Sequence, residues 1–271
     1  MAIGMFDSGI GGLTVLKEIK RILPNMHITY LGDTARVPYG IRSPETVARY
    51  AKESAVFLTE HGIHMMVVAC NTSSAVALDD LVTRFDIPVL GVIYPGAKTA
   101  VESTKRGRVG VLGTPATISS GAYPKAIRKI DAGVAVTGMA CPLFVPLVEE
   151  GWLDNEVARL TAREYLYRLH SLDQDLDTIV LGCTHYPLLK PLLQKVAVGV
   201  FEQPIKFVDS ALETAREVKE MVADKGIPMD EDGQVNYYVT DFPDRFCKVG
   251  SIFLGADIQR ADKITLPPWK E

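Results

Sequence analysis

The sequence predicts an α/β fold with mainly parallel sheets, arranged as two related units facing one cleft. Short β-rich runs alternate with longer helical patterns, and the same strand-then-polar-residue order recurs in both halves of the chain. The 271 residues and 47% hydrophobic content suffice to bury a sizeable core as one large domain or two smaller ones.

Taken in order, the first strand, Ile3–Phe6, runs into Asp7-Ser8-Gly9-Ile10-Gly11-Gly12 and the helical pattern Leu13–Leu23. Ile28–Leu31 follows and opens onto Asp33-Thr34-Ala35-Arg36-Val37-Pro38-Tyr39-Gly40. Ser43 fits an N-cap, with Pro44 at the first helical position of Pro44–His61, because proline lacks the N–H that a first turn leaves unpaired. Met65–Ala69 and Val89–Val92 complete the first half. Val109–Leu112, Val134–Thr137, Ile179–Leu181 and Lys206–Val208 repeat the rhythm, and Asn155–His170 carries apolar residues at helical spacing.

In the first half, Gly4-Met5-Phe6 leads to Asp7-Ser8, and Val67-Val68-Ala69 leads to Cys70-Asn71-Thr72. In the second, Val109-Gly110-Val111-Leu112 leads to Gly113-Thr114, and Ile179-Val180-Leu181-Gly182 leads to Cys183-Thr184-His185. The spacing from Asp7 to Cys70 resembles that from Thr114 to Cys183. Parallel sheets bind ligands at the carboxyl ends of their strands, so two such units meeting edge to edge bring Cys70 and Cys183 to one cleft.

Composition narrows the partners. With 29 basic and 33 acidic residues the formal charge is −4, and the compact cluster Lys105-Arg106-Gly107-Arg108 reads as a solvated loop, so no nucleic-acid partner is expected. No run approaches the roughly 18 apolar residues of a membrane span, and the start of the chain enters a strand without a leader. A soluble, cytoplasmic protein is expected. Cys70, Cys141, Cys183 and Cys247 show no CxxC spacing, which predicts free thiols and no metal site. Cys141 and Cys247 read as small buried hydrophobes.

Cys70 and Cys183 read differently, because each ends a strand and precedes hydrogen-bonding residues that open a helical segment. A helix N-terminus or a cationic neighbour stabilises the thiolate, and His185 is such a neighbour for Cys183. A single cysteine with a histidine would suggest a nucleophile, as in a thiol hydrolase. Two thiols in matching contexts suggest instead the inversion of a carbon that bears a hydrogen, which needs a base on one face and an acid on the other. Asp7 projects toward the same cleft and suits either holding a substrate ammonium or orienting a thiol. The glycines after it do not form a nucleotide loop: position 14 is Thr14 where the dinucleotide fingerprint requires glycine, and no GxxxxGK[ST] occurs. Backbone N–H groups of the Pro38-Tyr39-Gly40 turn suit a carboxylate.

These residues resemble the glutamate racemase family. The resemblance lies in Phe6-Asp7-Ser8-Gly9-Ile10-Gly11-Gly12-Leu13-Thr14-Val15, in Gly32-Asp33-Thr34-Ala35-Arg36-Val37-Pro38-Tyr39-Gly40, in Cys70-Asn71-Thr72 and in Gly182-Cys183-Thr184-His185-Tyr186-Pro187. It extends through Cys141–Glu149 and Val208-Asp209-Ser210-Ala211. The resemblance implies two pseudo-symmetric three-layer α/β domains, 1–94 with 207–271 and 95–206, with crossings near Tyr94 and Phe207. It implies Cys70 and Cys183 as the acid/base pair for interconverting L- and D-glutamate, tuned by Asp7 and His185, with Glu149 near the cleft. Substrate would be held by Asp7, Ser8, Tyr39, Gly40, Asn71, Thr72, Thr184 and His185, with Thr114 and Thr117 as further carboxylate contacts. No cofactor or metal is implied. A small-molecule substrate is the expected partner, a homodimer is allowed, and the family's role is D-glutamate supply for peptidoglycan. Some members carry an activator-dependent N-terminal extension; the position of Asp7 leads us to expect none here. The competing expectations are a racemase of the same fold acting on aspartate or hydantoins, and a two-lobed amino-acid binding protein without chemistry.

Overall fold

The computed structural model describes residues 3–228 and 233–269. The chain begins with β1 (Ile3–Asp7), α1 (Leu13–Ile22) and β2 (Ile28–Gly32), then passes through a 3-10 turn at Tyr39–Ile41 into α2 (Pro44–Glu60). The Ser43 hydroxyl caps α2 by accepting the Thr46 N–H at 3.3 Å, with Pro44 at the first helical position. Next come β3 (Met65–Val68), α3 (Asn71–Val76), α4 (Leu78–Arg84) and β4 (Val89–Gly91). The second sheet starts after α5 (Ile93–Ser103) with β5 (Arg108–Gly113), α6 (Pro115–Ser119), α7 (Ala122–Ile130) and β6 (Ala135–Ala140). It continues through α8 (Phe144–Glu149), α9 (Glu156–Leu172), β7 (Thr178–Gly182), a 3-10 turn at Tyr186–Leu189, α10 (Lys190–Ala197) and β8 (Lys206–Asp209). The chain then adds α11 (Ser210–Lys225), β9 (Val235–Val239), α12 (Pro243–Leu254) and β10 (Asp262–Lys263).

The first sheet has the order β4-β3-β1-β2-β9-β10 and the second β8-β7-β5-β6, every pairing being parallel. Read from the same edge, β4-β3-β1-β2 and β8-β7-β5-β6 are one order used twice, so the recurrence seen in the sequence is a repeated α/β unit. Strands β1, β2, β3 and β7 are buried along their full length. Covering helices on both faces explain why these strands read as continuous apolar runs rather than alternating ones.

Every strand expected from the sequence is present, with ends displaced by a few residues at most. β6 moves furthest, beginning at Ala135 and continuing to Ala140. β9 and β10 extend the first sheet beyond β2 and were not expected. Strand β8, which contains Phe207, hydrogen-bonds with β7 in the second sheet, and the chain then enters α11, which packs on both α1 and α5. One continuous core contains Met5 and Leu16 of the first unit with Leu112, Cys183 and Leu193 of the second. Cys141 is buried as expected, whereas Cys247 is only half-buried because it faces a surface cleft with Lys248 and Arg260.

Candidate active site

The carboxyl ends of the central strands of both sheets meet at a cavity of about 370 Å³. Its wall includes Ser8 after β1, Tyr39 and Gly40 after β2, and Cys70, Asn71 and Thr72 after β3. From the second unit come Thr114 after β5, Glu149 at the end of α8, and Cys183, Thr184 and His185 after β7. Asp7 and Thr117 stand one layer behind: Asp7 accepts the Thr184 hydroxyl at 3.4 Å, and the Thr117 hydroxyl lies 3.3 Å from that of Thr72 and 2.9 Å from that of Thr114. All the site residues expected from the sequence are therefore gathered in one place. Val37, Pro38, Ile41, Pro115, Pro142, Val145 and Pro146 supply the apolar remainder of the wall.

Cys70 is the N-cap of α3, with its sulfur 3.5 Å from the Ser73 N–H. Burial pushes its thiol up to about 11, the Asp7 charge adds to that, and hydrogen bonds from Ser73 and Ser8 oppose it. Cys183 has a different neighbour: its sulfur lies 4.0 Å from His185 Nδ1. Burial disfavours a charged His185, but the hydrogen bonds and charges of Cys183 and Glu149 outweigh it and push the imidazole up to about 10. The His185 Nε2 sits 3.1 Å from Glu149 Oε1. Burial tends to raise the Glu149 carboxyl, yet His185 and Arg245 bring it below its ordinary value. Asp7 moves upward through burial, against the pull of His185, the Gly9 and Gly12 amides and Thr184. No direct hydrogen bond joins Asp7 to Cys70; its Oδ2 accepts the Gly9 N–H at 2.8 Å.

The two units press closely at this seam. A Cβ at Gly11 would stand 2.1 Å from Thr184 Oγ1 and 2.5 Å from His185 Nδ1, and one at Gly40 would stand 2.5 Å from Thr114 Cβ. Thr14 donates to the Thr184 carbonyl at 3.1 Å. Thr72, Thr114 and Thr117 form a triangle of hydroxyls, with 3.0 Å between those of Thr72 and Thr114. Asn71 donates to the Tyr123 hydroxyl at 2.9 Å, leaving its own Oδ1 buried without a partner. Arg245 of α12, 3.7 Å from Glu149, was not anticipated from the sequence, since no local pattern links residues so far apart. Among the described residues, no group of three or more His, Cys, Asp or Glu side chains is arranged to hold a metal ion, and no helix is long and apolar enough to cross a membrane.

Two thiols at matching strand ends of duplicated units, one beside a histidine and both facing one cavity, form an arrangement capable of acid/base chemistry. The chain belongs to the Asp/Glu/Hydantoin racemase family, which it matches over residues 3–218. It is an isomerase of the racemase class. It is 53% identical to a glutamate racemase of Geobacter metallireducens over 272 residues, covering 100% of this chain and 98% of that one. A solved glutamate racemase isoform from Bacillus anthracis superposes with a TM-score of 0.92 at 38% identity, covering 98% of both chains. The Francisella tularensis glutamate racemase, solved in complex with D-glutamate, gives 0.91 at 36% identity, covering 99% of this chain and 98% of that one.

Proposed function

We propose that the protein interconverts L- and D-glutamate by a two-cysteine 1,1-proton transfer. The observation that carries this reading is the pair of thiols, Cys70 and Cys183, at corresponding strand ends on one cavity wall. In the L-to-D direction the Cys183 thiolate takes the Cα proton, and the Cys70 thiol delivers its own proton to the opposite face. The thiolate charge ends on Cys70. The reverse direction exchanges the roles. His185, braced by Glu149, supports the Cys183 thiolate as a cation, and Asp7 is assigned to the Cys70 side and to the substrate ammonium. Ser8, Tyr39, Gly40, Asn71, Thr72, Thr114, Thr117 and Thr184 are assigned to substrate binding. That the relatives are glutamate racemases favours glutamate, and supply of D-glutamate for peptidoglycan in the cytoplasm is the role we assign. We further propose a division into two domains with crossings near Tyr94 and after Asp209. The second crossing replaces Phe207 as the boundary because β8 pairs with β7.

The test is incubation with L-glutamate in D2O without added cofactor, following optical rotation and Cα deuteration together. Both should proceed, because in D2O the thiol that delivers its proton to the opposite face of Cα already carries solvent deuterium. Cys70→Ala and Cys183→Ala should each lower racemisation by at least about 10²-fold, the low end for removing a positioned acid/base. A requirement for added pyridoxal phosphate, or a single-cysteine variant that racemises at the wild-type rate, would refute the mechanism.

A further inference from the structure

Asp33, at the end of β2, is a fully buried carboxylate that the proton transfer does not use. Its backbone N–H bonds the Asp7 carbonyl at 3.1 Å. Its Oδ2 accepts from Arg36 Nε at 2.6 Å and from the Tyr39 hydroxyl, and its Oδ1 accepts from the Thr240 hydroxyl at 2.9 Å. A buried carboxylate is tolerated when such donors surround it, and here two of the three belong to the loop that follows. The third comes from the chain beyond β9. The Thr240 hydroxyl also accepts the Ala35 N–H at 2.8 Å, and the Asp241 N–H donates to the Thr34 hydroxyl at 2.8 Å. Arg36 extends the network to Glu53 and lays its guanidinium over the Tyr50 ring, 3.9 Å from the centroid.

One consequence concerns Tyr39. Its hydroxyl is engaged by Asp33, so it contributes ring and backbone to the cavity wall rather than a free phenol. The next residue, Gly40, is pressed against Thr114 of the other unit. The orientation of this part of the wall is therefore set from behind. We infer that Asp33, held by Thr240, is a positioning residue: it knots segment 33–40 and so presents the Tyr39-Gly40 backbone to a substrate carboxylate. The inference rests on the proposed assignment of Tyr39 and Gly40 to substrate binding. Contacts made by backbone N–H groups are present before and after proton transfer, so their loss falls on KM more than on kcat.

The experiment compares Thr240→Val, which keeps shape and loses both hydroxyl bonds, with Thr240→Ser, which keeps them, and with Asp33→Asn. Steady-state racemisation of L-glutamate and amide hydrogen exchange across 34–42 without substrate are read on each protein. Thr240→Val is expected to raise KM about ten-fold with kcat within about two-fold, and to speed exchange in the loop, while Thr240→Ser restores both. Asp33→Asn should act in the same direction and more strongly; if it does not fold, the Thr240 pair carries the test. Unchanged KM and unchanged exchange in folded Thr240→Val overturn the inference, as does a loss of kcat at constant KM. If the wild type does not act on L-glutamate while exchange still rises in Thr240→Val and recovers in Thr240→Ser, the substrate assignment fails and the positioning role stands.

Discussion

Cys70 and Cys183 are both buried, yet different neighbours act on them. Cys70 is pushed up to about 11 by burial and by Asp7, so it rests as a thiol near neutral pH. Cys183 lies beside His185, whose imidazole is pushed up to about 10 despite its burial by the hydrogen bonds and charges of Cys183 and Glu149. The two thiols therefore stand in different electrostatic surroundings. In the proposed mechanism the reacting unit is the pair holding a single proton, because two thiols lack a base and two thiolates lack an acid. Activity should follow a bell-shaped pH profile. Its alkaline limb reports loss of the Cys70 proton, pushed up to about 11, and of the His185 charge, pushed up to about 10, so it should lie above the ordinary thiol range of roughly 8.5. Racemisation has an equilibrium constant of one, so kcat/KM for L- and D-glutamate must trace one common profile. Glu149→Gln removes a charge that raises His185 and should move the alkaline limb downward. An alkaline limb in the ordinary thiol range, or one unmoved in Glu149→Gln, would contradict these electrostatics.

At the scale of elements, glycines decide how tightly the strand-end loops of the two units close. Gly11 lies where a methyl would overlap Thr184 and His185, and Gly40 where it would overlap Thr114. Neither adopts a positive φ, so alanine would disturb the seam rather than the turn itself. Gly11→Ala and Gly40→Ala should each reduce kcat/KM by about 10²-fold, the effect expected when a reacting group is misplaced by roughly 1 Å. Gly199→Ala, whose Cβ meets only Val196 O at 3.7 Å, is the control and should retain activity. Equal activity of all three would show that the seam relaxes without consequence. The strand-end thiols were legible in the sequence because buried parallel strands appear as unbroken apolar runs, and the chemistry stands immediately after them. β9 was not, since Val235–Val239 mixes exposed Asn236 with half-buried tyrosines, and β10 is only two residues long. The Arg245–Glu149 and Thr240–Asp33 contacts were invisible for another reason: they join residues far apart in the chain, and no periodicity encodes such a meeting.

The whole molecule places its cavity between two copies of one α/β arrangement, with β8 leading into α11 and α11 packing on helices of both units. A ligand that touches both walls therefore holds the units together and stabilises the folded chain as one body. At a hundred times its dissociation constant, such a ligand contributes about 2.7 kcal/mol. For a chain of this size, each kcal/mol raises Tm by roughly 2–4 °C, so glutamate should shift the transition by several degrees. On the proposed binding mode aspartate, one methylene shorter, cannot place both carboxylates on their donors without drawing the walls inward. The tight contacts of Gly11 with the Thr184-His185 loop and of Gly40 with Thr114 resist that movement. Glutamate should accordingly give the larger Tm shift and the larger kcat/KM, with both units melting in one transition. Thermal scans of the wild type with each amino acid, paired with chiral product analysis, decide the matter. Equal shifts and equal turnover for aspartate would mean that the cavity does not measure the distance between the two carboxylates. Two separate transitions, only one of them moved by glutamate, would mean that the ligand contacts a single unit.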